Sequence, residues 1–260
     1  MRVRIKYSKQ GLMKFIGHLD MMRSFQKLLR QSDIDVTFSE GYSPHMIMSY
    51  AFPLGVGMTS DSEYVDVDLN QTYPSVDLVR RLNEASPDGI HFLDAREVPL
   101  GKGNKGMTLV ARADYTINFR QGYEWPDGWK EMFSKFISRP EILAVKKGKK
   151  TTQQINISPL IYKAETDPEP FIVTGIGEVP EGEGRPGWDN VRQGDIFLSL
   201  SAGSAANIRP ELVMETFAES CGFDFGPYTL KVNRDEVFAD VGDSGNHKFV
   251  TLIGLGSTIG

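Results

Sequence analysis

The sequence contains a single cysteine, Cys221, and this scarcity excludes several kinds of chemistry. One thiol cannot form a disulfide bond within the chain. An iron–sulfur cluster normally needs several thiolates, and a structural zinc site usually needs more than one. We therefore expect the chain to hold no metal and no cofactor of its own.

Long apolar runs are also missing. No stretch approaches the roughly 18 uninterrupted apolar residues that a membrane-spanning helix requires. Directly after Met1, residues 2–7 alternate charged and apolar side chains, which is not the pattern of a secretory signal segment. We therefore expect a cytoplasmic protein without a membrane partner.

Basic residues are fewer than acidic ones. The sequence has 29 Lys and Arg and 34 Asp and Glu, which gives a net charge of −5. That balance argues against a protein that coats nucleic acid. The charge is unevenly distributed, however. Residues 1–58 contain eight basic and four acidic side chains, a balance of +4, so the remainder carries −9. This asymmetry predicts a basic face on an acidic body, although a solvated surface is the alternative.

Periodicity in the first hundred residues predicts an α+β domain. Alternation over residues 2–7 indicates a strand, and from His18 the apolar residues recur at helical spacing. Those helical apolar residues are Leu19, Met22, Phe25, Leu28 and Leu29. We predict further strands over residues 36–39, 46–52, 63–69 and 90–98, and a second helix from Pro74. This order is that of a ferredoxin-like (split βαβ) sandwich.

The second half repeats that order more loosely, with helices predicted over residues 125–137 and 210–220. The Gly-rich segment 100–106 reads as a linker. We therefore predict two ferredoxin-like antiparallel sandwiches in tandem. Their predicted bounds are 1–99 for the first domain, 107–240 for the more elaborate second domain and 241–260 for a C-terminal tail.

Two histidines are candidate catalytic residues. His18 precedes Asp20 at the predicted start of the first helix, where the helix dipole favours a neutral imidazole suited to a general base. His45 lies in a later turn. The alternative is structural: His18 or Asp20 caps the helix and His45 bonds backbone carbonyls. No metal site is predicted, because the two histidines lack the spacing of a zinc motif.

A loop of small residues that runs into Pro210 is a candidate phosphate site. A helix beginning directly after this loop would point backbone N–H groups at an anion. The lysines of segment 146–150 are a second candidate. Helix capping by Ser204 or Asn207 and a solvated hairpin tip are the alternatives. The predicted RNA or phosphate-binding residues are Arg4, Lys6, Lys14, Arg23, Lys146, Lys147, Lys149, Lys150, Ser204, Asn207 and Arg209.

Six stretches of the sequence carry a family resemblance. They are Arg4-Ile-Lys-Tyr-Ser-Lys, Gly17-His-Leu-Asp-Met-Met-Arg, Ser39-Glu-Gly-Tyr-Ser-Pro-His, Phe52-Pro-Leu-Gly-Val-Gly, Glu63-Tyr-Val-Asp-Val and Ala202-Gly-Ser-x-x-Asn-x-Arg-Pro. In this order they resemble the uncharacterised radical SAM-linked protein family. The motif residues that we single out are Asp20, Ser39, Glu40 and Pro44.

The resemblance implies a partnership, because family members occur as separate chains or joined behind a radical S-adenosylmethionine (SAM) enzyme. The single cysteine agrees, since the cluster of such an enzyme needs several. We therefore predict a non-catalytic RNA-recognition or substrate-presenting partner of a radical SAM enzyme that modifies tRNA or rRNA. One alternative is a metal-independent endoribonuclease of the CRISPR repeat-cleaving type, to which paired ferredoxin-like sandwiches are similar, using His18 and His45. The other is a protein-binding scaffold without RNA.

Overall fold

The computed structural model describes residues 1–147, 152–168, 171–172, 191–192, 195–204, 206–226, 228–243 and 245–260. The first half of the chain folds into four strands and two helices. They are β1 (Arg2–Lys9), α1 (His18–Gln31), β2 (Met48–Tyr50), β3 (Thr59–Asp68), α2 (Ser75–Glu84) and β4 (Ile90–Val98). No helix among the described residues is long and apolar enough to cross a lipid bilayer.

Within its described ranges, the second half adds three helices and ten strands. They are α3 (Gly106–Leu109), β5 (Val110–Phe119), α4 (Trp129–Ile137), β6 (Leu143–Lys147), β7 (Thr152–Asn156), β8 (Ile161–Thr166), β9 (Phe171–Ile172), β10 (Val191–Arg192), β11 (Ile196–Ser201), α5 (Pro210–Cys221), β12 (Leu230–Asp240), β13 (Phe249–Thr251) and β14 (Ser257–Thr258). Short 3-10 turns lie at Gly11–Phe15, Ser158–Leu160 and Leu252–Leu255.

The helix α1 shows how local sequence sets an element. Met21, Phe25, Leu28 and Leu29 are buried, which matches helical spacing, and the Ser32 hydroxyl ends the helix by donating to the Leu28 carbonyl at 2.8 Å. The helix α4, in contrast, is shorter than the predicted 125–137. It begins only after Gly128, whose positive φ of 71° is the left-handed conformation that glycine favours.

A large mixed sheet runs through both halves. Its strand order is β14-β4-β1-β3-β12-β5-β11-β8, with β2 added to β3 and β13 added to β12. Four strands of each half share one arrangement: β4-β1-β3-β2 in the first and β12-β5-β11-β8 in the second. The predicted α+β class is confirmed, whereas the tandem ferredoxin-like arrangement and the domain boundary near residue 100 stay predictions.

The strand β3 connects the two halves. Its first residues pair in parallel with β12, at Thr59 with Asn233 and Ser60 with Arg234, and its later residues pair with β2. The predicted strands over 36–39 and 46–52 are largely absent. Only β2 forms there, together with isolated bridges that join Val36 to Leu69 and Phe38 to Met46.

The last residues of the chain also contact both halves. Leu252 and Ile253 enter the apolar core of the second half, and Ile259 enters the core of the first. Between them, β14 pairs with β4. The backbone of Ile259 exchanges hydrogen bonds with Ser75, at the start of α2. The segment predicted as a tail is therefore packed into the fold.

Candidate functional site

The charged face of β1 forms a ladder of buried ion pairs. Arg4 is 0% exposed and binds Asp66 through two hydrogen bonds of 2.8 and 3.0 Å. Two of its other N–H groups donate to the carbonyls of Leu252 and Asn104. Asp66 also accepts from the backbone N–H of Gly106 at 2.7 Å. The pair therefore anchors the segment around Asn104 and Gly106 and the C-terminal segment on the sheet.

Two further rungs flank this pair. Arg2 contacts Asp68 at 2.7 Å, and Lys6 contacts Glu236 at 2.8 Å. Glu236 belongs to β12, so the second of these rungs connects the two halves. We call the pairs Arg2–Asp68, Arg4–Asp66 and Lys6–Glu236 the ion-pair ladder. Arg4 and Lys6 were predicted to bind phosphate, but both are buried against carboxylates and neither faces solvent.

The ladder and the buried Lys9 together remove the basic excess of residues 1–58 from the surface. Arg2, Arg4, Lys6 and Lys9 are all buried, and Lys9 donates to the Ile16 carbonyl at 2.8 Å. The four basic side chains that remain in this segment are matched in number by its four acidic ones, so its surface is close to neutral. A sequence signal existed, because Asp66 and Asp68 alternate in β3 as Arg2 and Arg4 do in β1.

A second buried ion pair lies where the halves meet. Arg234 on β12 contacts Glu63 on β3 at 2.9 Å, and both side chains are at most 5% exposed. The same guanidinium donates to the Phe52 carbonyl at 2.7 Å and lies over the Phe52 ring. Burial raises the pKa of Glu63, and the charge of Arg234 opposes that shift. This pair therefore fastens the segment 52–58 to the junction.

A buried amide bridges two carboxylates beside that pair, and no sequence pattern pointed to it. The Asn233 side-chain nitrogen donates to Asp61 and to Asp235, each at 2.7 Å. Thr116 donates to the other oxygen of Asp235. Burial raises the pKa of Asp235 well above its ordinary value, and the nearby Asp61 adds to that shift.

Two of the motif segments, residues 17–23 and 52–57, and the 3-10 turn that precedes α1 carry exposed apolar side chains. The backbone N–H of Gly57 donates to the Lys14 carbonyl at 2.8 Å, which brings segment 52–58 against the 3-10 turn that precedes α1. Four large apolar side chains are exposed there, and we call them the motif surface. They are Leu12 at 82%, Phe15 at 56%, Leu19 at 67% and Val56 at 65% exposure.

His18 and Lys14 lie beside the motif surface. The exposed His18 ring meets the Tyr50 ring edge-on, with centroids 5.1 Å apart. The Lys14 ammonium lies over the Phe15 ring. Asp20 and Arg23 form an exposed ion pair of 3.1 Å on the first turns of α1. His18, Lys14, Asp20 and Arg23 take no part in the ion-pair ladder.

The hairpin that contains Ser39, Glu40, Pro44 and His45 is closed by its own side chains. The Ser39 hydroxyl accepts from the His45 backbone N–H at 3.1 Å and lies 2.8 Å from Nδ1 of the same histidine. Tyr42 at its tip is fully exposed. His18 and His45 therefore contact different partners, Tyr50 and Ser39, and no hydrogen bond or ring contact joins the two histidines.

The two predicted phosphate segments of the second half do meet. The Lys146 ammonium, on the β6–β7 hairpin, donates to the backbone carbonyl of Asn207 at 2.9 Å. Arg209 is exposed directly before α5, and Ser204 is exposed in the same loop. Lys147 ends β6, but its side chain lies outside the described residues, as do Lys149 and Lys150 entirely.

Glycine is required in that loop for a reason unrelated to phosphate. Gly203 has a φ of +95°, and a Cβ there would lie 2.0 Å from the Val110 carbonyl oxygen. No other residue type fits such a close approach to the backbone. Part of the loop motif is therefore explained by packing alone.

The fold and the site define a mixed α+β protein with a buried ion-pair ladder and an exposed motif surface. The chain belongs to the family described as "Uncharacterized protein conserved in bacteria (DUF2344)", whose model matches residues 2–210. No curated protein matches the chain. One chain of the "Crystal Structure of a Cbf5-Nop10-Gar1 Complex" is 9% identical with a TM-score of 0.44, over 90% of this chain. The match covers 48% of that chain, so this chain spans about half its length.

Proposed function

We propose that the chain is a non-catalytic partner of a radical SAM enzyme and that the motif surface contacts this enzyme. The supporting observation is a division among the motif residues. Arg4, Lys6, Glu63 and Asp66 serve the buried ion pairs, whereas Leu19 and Val56 place large apolar side chains in solvent. Folding of the chain itself explains the first group and leaves the second unexplained.

Exposure of the motif surface favours a protein as the contacting molecule. Large apolar side chains exposed on adjoining segments of a folded domain mark interaction sites more often than isolated ones do. The surrounding segment 1–58 carries little net charge outside the ladder, so the electrostatic attraction that dominates nucleic-acid binding is weak there. Tyr42, on the neighbouring motif hairpin, adds an aromatic side chain of the type enriched at protein interfaces.

The choice of a radical SAM enzyme rests on the family resemblance and on the thiol count. With Cys221 as its only cysteine, the chain lacks the thiolates for the cluster that cleaves S-adenosylmethionine. A division of labour follows, in which the partner supplies the radical chemistry and this chain supplies binding.

Substitutions on the motif surface test this proposal. Leu19→Glu and Val56→Glu should each weaken binding to the cognate radical SAM enzyme by about tenfold or more, because each buries a charge in an apolar contact. Val76→Glu is the matched control. Val76 is 80% exposed on α2, outside every motif, and its substitution should leave the affinity unchanged.

The measurement is a titration of the purified chain into each purified radical SAM enzyme encoded in the same genome. Circular dichroism first verifies that the three variants fold. Equal affinities for the parent chain, the two motif-surface variants and Val76→Glu would place the contact elsewhere and contradict the proposal.

A second candidate function, RNA contact, is favoured by one observation. The Lys146 hairpin and the loop to Arg209 lie together, so two segments 61 residues apart form one cationic surface at the start of α5. Double replacement by Lys146→Ser and Arg209→Ser should weaken binding to tRNA at all sequences. It should also flatten the slope of log affinity against log salt by about 0.7 for each phosphate that the protein no longer neutralises.

The control for this test is the double variant Lys27→Ser and Arg30→Ser, which replaces one exposed lysine and one exposed arginine of α1. Those changes remove the same charge from a different face. If both double variants lower the salt slope equally, RNA responds only to overall charge and the surface at α5 is not a site. The endoribonuclease alternative lacks comparable support, since His18 and His45 contact separate partners.

A further inference from the structure

A cavity of about 220 Å³ lies between the two halves, apart from the buried ion pairs, and Val56 of the motif surface is one of its lining residues. Val56 and Met58 line one side of it, from segment 52–58. Glu211 and Glu215, one turn apart on α5, line the other. Residues from both halves therefore build its walls.

The cavity combines apolar walls with an unpaired carboxylate oxygen. Oε2 of Glu211 is buried and takes no hydrogen bond from any described residue. Val232 and Met214, both at most 5% exposed, supply apolar surface beside it. A buried carboxylate oxygen without a donor is unfavourable, and a donor from a ligand would correct this.

The charges of the lining select the sign of that ligand. The lining contains two carboxylates and one guanidinium, that of Arg120. The Nε of Arg120 donates to the Leu230 carbonyl at 3.2 Å. An anion would meet both carboxylates, whereas a cation would satisfy the free oxygen of Glu211.

We propose that this cavity binds a small organic cation, an amine attached to an apolar body, with Glu211 as the group that accepts its N–H. Its volume supports that size. A closed cavity of about 150 Å³ holds benzene, so 220 Å³ has room for a ring and a short aminoalkyl arm. The cavity shares Val56 with the motif surface, but the proposed ligand contact is Glu211, so this proposal does not depend on a partner enzyme.

Three probes of one shape and different charge test the proposal on the full chain. They are phenethylamine as the cation, 2-phenylethanol as the neutral analogue and 3-phenylpropionate as the anion. Isothermal titration calorimetry should show millimolar binding of the amine, binding of the alcohol that is at least about tenfold weaker, and no binding of the anion. Equal binding of all three, or no binding of the amine at about 10 mM, would overturn the proposal.

Substitutions identify the carboxylate. Glu211→Gln should weaken binding of the amine about tenfold, because it removes one charge-assisted hydrogen bond. It should leave the affinity for the alcohol unchanged. Glu219→Gln is the control, since Glu219 is exposed on the same helix and does not line the cavity. If Glu211→Gln fails to fold, Glu215→Gln tests the same dependence on charge. If neither Glu211→Gln nor Glu215→Gln changes the affinity for the amine, the assignment of a cation site to this cavity is refuted.

Discussion

Replacement of Asp66 by alanine is expected to destabilise the protein by about 3–5 kcal/mol, as for other broken buried ion pairs. The substitution leaves the guanidinium of Arg4, which is 0% exposed, without its charged partner. It also deprives the Gly106 N–H of its acceptor. Two carbonyls, of Leu252 and Asn104, would remain as the only described partners of Arg4, and neither neutralises its charge.

Two comparisons make this prediction specific. Asp20→Ala breaks an exposed pair with Arg23 and should change the free energy of unfolding little. The double variant Arg4→Met and Asp66→Leu should recover most of the stability, because it leaves no unpaired charge in the interior. Urea denaturation measures all three. Equal effects of Asp66→Ala and Asp20→Ala would show that the Arg4–Asp66 pair is not buried.

Replacement of Arg234 by methionine should also cost about 3–5 kcal/mol near neutral pH, since it strands the buried carboxylate of Glu63. The destabilisation should depend on pH. Burial already raises the pKa of Glu63, and the variant removes the charge that opposes this shift. A carboxyl whose folded pKa is raised contributes stability below its unfolded pKa and loses it as pH rises through the folded pKa.

The free energy of unfolding of Arg234→Met, relative to the parent, should therefore fall as the pH rises above the ordinary pKa of a glutamate, about 4.3. Arg80→Met is the control, because Arg80 pairs with Asp77 and Glu84 on the exposed face of α2. The difference in free energy of unfolding between Arg80→Met and the parent should stay small and nearly constant with pH. A pH-independent difference for Arg234→Met would mean that Glu63 is not the stranded group.

Local sequence patterns predicted where strands and helices lie better than they predicted which faces of them are buried. The alternation over residues 2–7 identified β1, but it did not show that the charged face of this strand is buried. That face is buried because Asn104 and Leu252 reach it from positions 100 and 248 residues away. Periodicity reports which side chains share a face, and it does not report which distant segment covers that face.

The same reason limited the prediction of the site. Helical spacing placed Leu19 with Phe25 and Leu28 on one apolar stripe, yet Leu19 is 67% exposed. Its position in the first turn carries it beyond the core that buries the other two. The meeting of Lys146 with Asn207 likewise depends on how the β6–β7 hairpin packs on α5, which no local pattern records.

Hydrogen–deuterium exchange of the chain with its radical SAM partner tests the central proposal most directly, since it maps the contact without any substitution. Binding should slow exchange in residues 10–19 and 52–58, the two segments that carry the motif surface. Exchange around Val76 on α2 should be unaffected. Slowed exchange confined to other elements, or no complex with any radical SAM enzyme of the same genome at micromolar concentrations, would contradict the proposal.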